Sequence, residues 1–103
     1  MGLVIKTLIV EKDRSDHIAK HNITLDEVNK VISGDYVYIE SRENRWLIIG
    51  ITKKKRFLTI VVGERKEKDT YGLITARPAR KEEKSLYQEY ALTLGGENKN
   101  GKN

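Results

Sequence analysis

The stretch "LITARPARKEEKSLY", residues 73–87, ends an apolar run in two arginines, Arg77 and Arg80, set around the chain's only proline, Pro78. A plain core strand has no use for that pair, whereas a site that holds a phosphate does. The planar guanidinium meets two phosphate oxygens at once and keeps its charge at any working pH. The spacing places Arg77 at the end of a strand and Arg80 in the first turn of a helix, where free backbone amides also attract an anion. Arg77 can instead pair with Glu82 or Glu83 and simply fix that helix. A further arginine, Arg65, closes the preceding apolar run "RFLTIVVGE". His17 and His21 stand four apart, stacked on one helical face. A free imidazole titrates near neutrality, which suits proton transfer. Histidines at this spacing also ligate zinc, but "HIAKH" lacks the glutamate of the metalloprotease pattern and offers no third ligand. The reading is therefore of a site without metal or small-molecule cofactor.

Composition narrows the partners. The chain has 103 residues, 38% of them hydrophobic, enough for one core without a staple. It contains no cysteine, which excludes disulfides, thiolate metal sites and cysteine nucleophiles. The net charge is +5, yet residues 42–68 alone hold nine Lys/Arg against three Glu. A basic region this concentrated points to an acidic partner, either nucleic acid or an acidic protein. The opening "MGLVIKTLIVEKD" is too short in its apolar run for a signal peptide or a spanning helix, so the expectation is a cytoplasmic protein without a membrane partner.

The elements that must carry these side chains follow from periodicity. "LVIKTLIV" (3–10) is β-branched enough for a first strand, and "DRSDHIAKH" (13–21) a short helix capped by Asp13 or Ser15 and left through Asn22. "TLDE" (24–27) matches a capping box, after which Leu25, Val28, Val31 and Ile32 keep helical spacing up to Gly34. The period then becomes two across 36–40, 45–52, 56–64 and 70–76, with short connections that require an antiparallel meander. Pro78 and Ala79 open a last helix. The expected fold is α+β in two layers, order β-α-α-β-β-β-β-α, helices on one sheet face. Residues 1–94 form one domain in this reading, and 95–103, without an apolar residue, a disordered tail. Strand alternation puts Tyr71, Leu73, Thr75 and Arg77 on one side, and brings Arg77 and Arg65 to one open face.

Three segments, "HIAKHNITLDEVNKVI" (17–32), "RWLIIGITKKKRFLTIVVGER" (45–65) and "ITARPARKEEKSLY" (74–87), resemble in order the BrnT-type toxin family and its allied small domains. The positions that match its motifs are Lys20, His21, Arg45, Arg65, Arg77 and Tyr87. Asn22 stands where the family has glycine, Arg80 departs from it, and the family's N-terminal tryptophan–acid pair is absent. The resemblance implies a RelE-like fold and a metal-independent endoribonuclease that stops translation. It also implies a small cognate antitoxin, encoded alongside. Metal-free RNA cleavage needs a base for the 2′-hydroxyl, positive charge on the phosphorane and an acid for the leaving oxygen. The catalytic candidates are then Arg77 and Arg65 on the phosphate, with His21 or Lys20 moving protons. Arg45, Arg80, Tyr87 and His17 are candidates for RNA contact. A non-catalytic RNA- or protein-binding module on the same scaffold is the alternative.

Overall fold

The computed structural model describes residues 3–41 and 43–100, with side chains through Ala91. The elements are β1 (Thr7–Ile9), α1 (Lys12–Ala19), α2 (Leu25–Ser33), β2 (Tyr36–Glu40), β3 (Arg45–Ile51), β4 (Phe57–Glu64), β5 (Thr70–Pro78) and α3 (Lys81–Asn100). This is the mixed α+β order that the periodicities predict. β1 is shorter than expected, although Leu3 and Ile5 ahead of it still pack on the core. The helix α1 begins one residue early, with Glu11 at its N-cap and no side-chain cap, so neither Asp13 nor Ser15 serves. Asn22 leaves the α1 turn at φ 64°, a left-handed conformation that its short polar side chain tolerates. The capping box of α2 forms as expected: Thr24 Oγ1 accepts from the Glu27 amide and the Glu27 carboxylate accepts from the Thr24 amide. The proposed tail is described as a continuation of α3 as far as Asn100, and 101–103 lie outside the described residues.

The five strands form one sheet in the order β1-β5-β4-β3-β2. β2 through β5 are the antiparallel meander, and β1 returns to pair with β5 in parallel, Thr7 opposite Thr70. One face carries the main core. Ile48, Leu58, Ile60, Val62, Leu73 and Ala76 meet Ile18 of α1 and Val28 and Val31 of α2. Leu58, Ile60 and Val62 are fully buried, the row that strand alternation assigns to the helices. The opposite face carries Phe57, Thr59 and Arg77, and α3 packs there, reaching β2 and β3. Helices on one face thus describes α1 and α2, while α3 lies on the other.

The expected alternation fails in β5. Val61 pairs with Thr75 but Val62 pairs with Leu73, so Ile74 is an extra residue in a β-bulge. Tyr71 and Leu73 consequently face the main core, and only Thr75 and Arg77 share the opposite face. The Ile74 carbonyl accepts from Arg14 of α1 at 3.2 Å, which pins the bulge to that helix.

Candidate active site and nucleic-acid interface

Arg77 stands at the end of β5, opposite Thr59. Its two terminal nitrogens donate to both oxygens of Glu83 at 2.8 Å each. Glu83 is only 8% exposed and accepts two further bonds, from Thr59 Oγ1 and from the Arg80 amide, both at 2.7 Å. The hydrogen bonds from Arg77 outweigh burial and hold this carboxyl down at about 2, with the Arg80 amide and Thr59 adding to the effect. The same bond raises the Arg77 guanidinium further above its ordinary value. Arg80 is the N-cap of α3 rather than a residue of its first turn, and Glu83, three residues on, supplies half of a capping box. Pro78 belongs to β5, paired with Leu58, rather than opening the helix.

Tyr87 follows Glu83 by four residues, hence on the same face of α3. Its ring meets Phe57 edge-on at 5.9 Å, and the Lys84 ammonium lies 5.8 Å from the Phe57 centroid. Burial, then the charges of Asp35 and Tyr90, push the Tyr87 phenol up, so it stays protonated and able to donate. The β5–α3 junction therefore gathers Arg77, Arg80 and Tyr87 from the sequence candidates, with Lys84 beside them. Two of the Arg77 donors are committed to Glu83 and a third makes a long bond, 3.5 Å, to the Pro78 carbonyl; the N–H groups left over can meet an anion, because the side chain is 22% exposed.

Arg65 and Arg45 stand on the same sheet face but at its other end. Arg45 pairs with Gly63, Gly63 pairs with Gly72, and the Arg65 guanidinium lies over Gly72 where a Cβ would go. Arg65 has one loose ion pair, 3.8 Å to the exposed Glu11, and Arg45 is exposed. Arg65 directly follows β4 and lies six positions beyond Thr59, about 20 Å at the usual rise of a strand, so Arg77 and Arg65 share a face without sharing a pocket. His17, Lys20 and His21 belong to α1 and its exit turn, and α1 packs on the opposite face. The two imidazoles are exposed and meet edge-on at 5.4 Å. The two arginines expected to meet at one anionic site therefore stand apart, and the four catalytic candidates occupy three places. Among the described residues no three His, Cys, Asp or Glu side chains are grouped to hold a metal ion.

Two features escape sequence reasoning. Glu83 is visible only as one possible partner of Arg77, because Thr59 and the Arg80 amide join it through the fold alone. Arg56, one cation of "TKKKR", donates to the carbonyls of Asn22 and His21 and to Glu27, and so ties the α1–α2 turn to the β3–β4 hairpin. That arginine is structural, although it lies within the basic region read as facing an acidic partner.

A solved structure shares this architecture. The crystal structure of the Brucella abortus ribonuclease toxin BrnT matches with a TM-score of 0.57 at 17% identity, covering 73% of this chain and 97% of that one. At that identity the likeness speaks for the fold. No curated protein matches. The family model for the ribonuclease toxin BrnT of type II toxin-antitoxin systems matches residues 11–83, a span that holds β3, β4 and β5 with every candidate from His17 to Arg80. With most of its length inside that match, the chain belongs to the BrnT family of ribonuclease toxins.

Proposed function

We propose that the protein is an endoribonuclease that cleaves RNA without a metal ion, acts in the cytoplasm and halts translation when its antitoxin is absent. The family supplies the ribonuclease activity and the antitoxin partner; the metal-free chemistry rests on the β5–α3 junction. There Arg77 is oriented by two bonds to Glu83, and Tyr87 stands one helical turn further along the same face. Arg77 holds the non-bridging phosphate oxygens, and Tyr87, a protonated phenol at neutral pH, donates to the phosphate or the leaving oxygen. Arg45 and Arg65 hold the RNA backbone further along the face. His21 and Lys20 reach the substrate only from the edge of the sheet, and rank below Tyr87 for proton transfer.

The observation that carries this reading is the Arg77 fork fixed by Glu83, with Tyr87 one turn along the same face of the helix. Its test is cleavage of RNA by the purified protein in chelator, together with growth arrest on expression. Tyr87→Phe keeps the ring against Phe57 and removes only the hydroxyl. It should slow cleavage about a hundredfold or more, with the folded state intact by circular dichroism. Cleavage abolished by chelator, or a folded Tyr87→Phe as active as the parent, would overturn the assignment.

A further inference from the structure

The sheet face under α3 is only half covered. Ile49 and Thr59 are fully buried beneath the helix, but the next cross-strand row, Ile39, Leu47 and Val61, is exposed or half-buried. Ile39 is 36% exposed, and Ile74 spreads over Gly63 beside this row. The glycines leave the floor low, and Arg45 and Arg65 stand along its far edge. Four aliphatic side chains thus form a shallow strip between a helix and two cations, with no aromatic ring on it. Phe57, on the same face, lies at the covered end against Tyr87.

We infer that this strip is the docking surface for the antitoxin, taken by a segment with aliphatic residues toward Ile39, Leu47, Val61 and Ile74 and acidic residues toward Arg45 and Arg65. The chemistry of the strip selects a protein over RNA. Aliphatic side chains gain by burying other aliphatic groups, whereas bases look for aromatic or guanidinium planes to stack on. The arginines supply charge complementarity, which sets orientation and accelerates encounter. Among the described residues Arg45 has no acidic partner, and Arg65 has one long, exposed pair to give up. A segment seated here lies across the route to Arg77 and silences the nuclease while leaving the Arg77–Glu83 pair untouched. The inference rests on the family's antitoxin and not on the roles given to Arg77 and Tyr87.

The experiment coexpresses the protein with the small protein encoded beside it, purifies both, and measures their affinity by calorimetry in the absence of RNA. Arg45→Glu with Arg65→Glu should weaken binding at least a hundredfold, and Ile39→Asp at least tenfold. Melting curves establish that each variant is folded. Lys53→Glu with Lys54→Glu, at the opposite end of the sheet, should bind as the parent does. Parent-like affinity in both strip variants overturns the inference, as does a loss confined to the Lys53 and Lys54 variant. Sedimentation showing the strip closed by a second copy of the chain overturns it too. If the strip variants bind antitoxin normally and lose RNA on filter retention, the surface belongs to RNA. Failure of Tyr87→Phe to affect cleavage leaves this binding result standing, so the two ideas fall separately.

Discussion

Glu83 accepts four hydrogen bonds from three residues while nearly shut off from water. A carboxylate in that position stays charged only because its donors replace the lost solvation. Its folded value of about 2 lies below the ordinary 4.5, so the charged form is what the fold prefers. The stabilisation is complete above about pH 4.5 and is lost as pH falls toward 2. From that shift the loss is on the order of 2–3 kcal/mol. Urea titrations at pH 7 and pH 3 should show it, and Glu83→Gln should be less stable at pH 7 with a flatter acid limb. A second expectation concerns Gly72, whose missing side chain gives the Arg65 guanidinium its place. Gly72→Ala pushes aside only the flexible end of Arg65, so melting should change little while antitoxin and RNA affinities both fall several-fold. At this scale the sequence was readable for residue type and not for partner. Arg77 reads as a phosphate ligand first, with pairing to Glu82 or Glu83 as the alternative; only the fold brings Thr59 to the same carboxylate.

The elements were the most legible part, because each announces its period locally: two for the meander, about 3.6 for α2, with a capping box at its start. What stayed hidden was the bulge at Ile74. An isoleucine in a strand looks the same whether paired or extra, and one additional residue moves every later side chain to the other face. Arg77 nonetheless shares a face with Arg65, since the expected alternation misplaced Tyr71 and Leu73 rather than the two arginines. The packing of α3 against the second face was equally hidden, as its sequence does not say which side of a sheet it will meet. Between β3 and α2 the fit is close: a Cβ on Gly50 would come 2.7 Å from Val31 Cγ1, in the core. Gly50→Ala must push α2 outward and should cost about 1–3 kcal/mol in denaturant titration, without changing the residues proposed for catalysis.

Across the whole molecule the positive charge is split between two ends. One holds Lys53, Lys54, Lys55, Arg77 and Arg80; the other holds Arg45, Arg65, Lys66 and Lys68. Composition shows that the charge exists and that it concentrates in the meander, but a linear count cannot show which hairpins point the same way. A polyanion crossing the sheet meets both ends, so RNA affinity should fall steeply as salt rises. Arg45→Ala and Arg65→Ala, measured as salt titrations of RNA binding, should each reduce the slope by about one. A slope unchanged by both would remove that end of the sheet from the RNA path. Among the described residues no helix is long and apolar enough to cross a membrane.

The parallel pairing of Thr7 with Thr70 has a consequence for synthesis. The first strand emerges from the ribosome early and must wait for the fifth, the last one made, before it has a neighbour. Contacts between such distant parts of a chain form slowly, since the intervening loop must close first. Arg65, just past β4, and Arg77 of β5 therefore reach their final places only once β5 has been made. A ribonuclease toxin built in this order has a latent interval during its own manufacture, in which an inhibitor already present can find it.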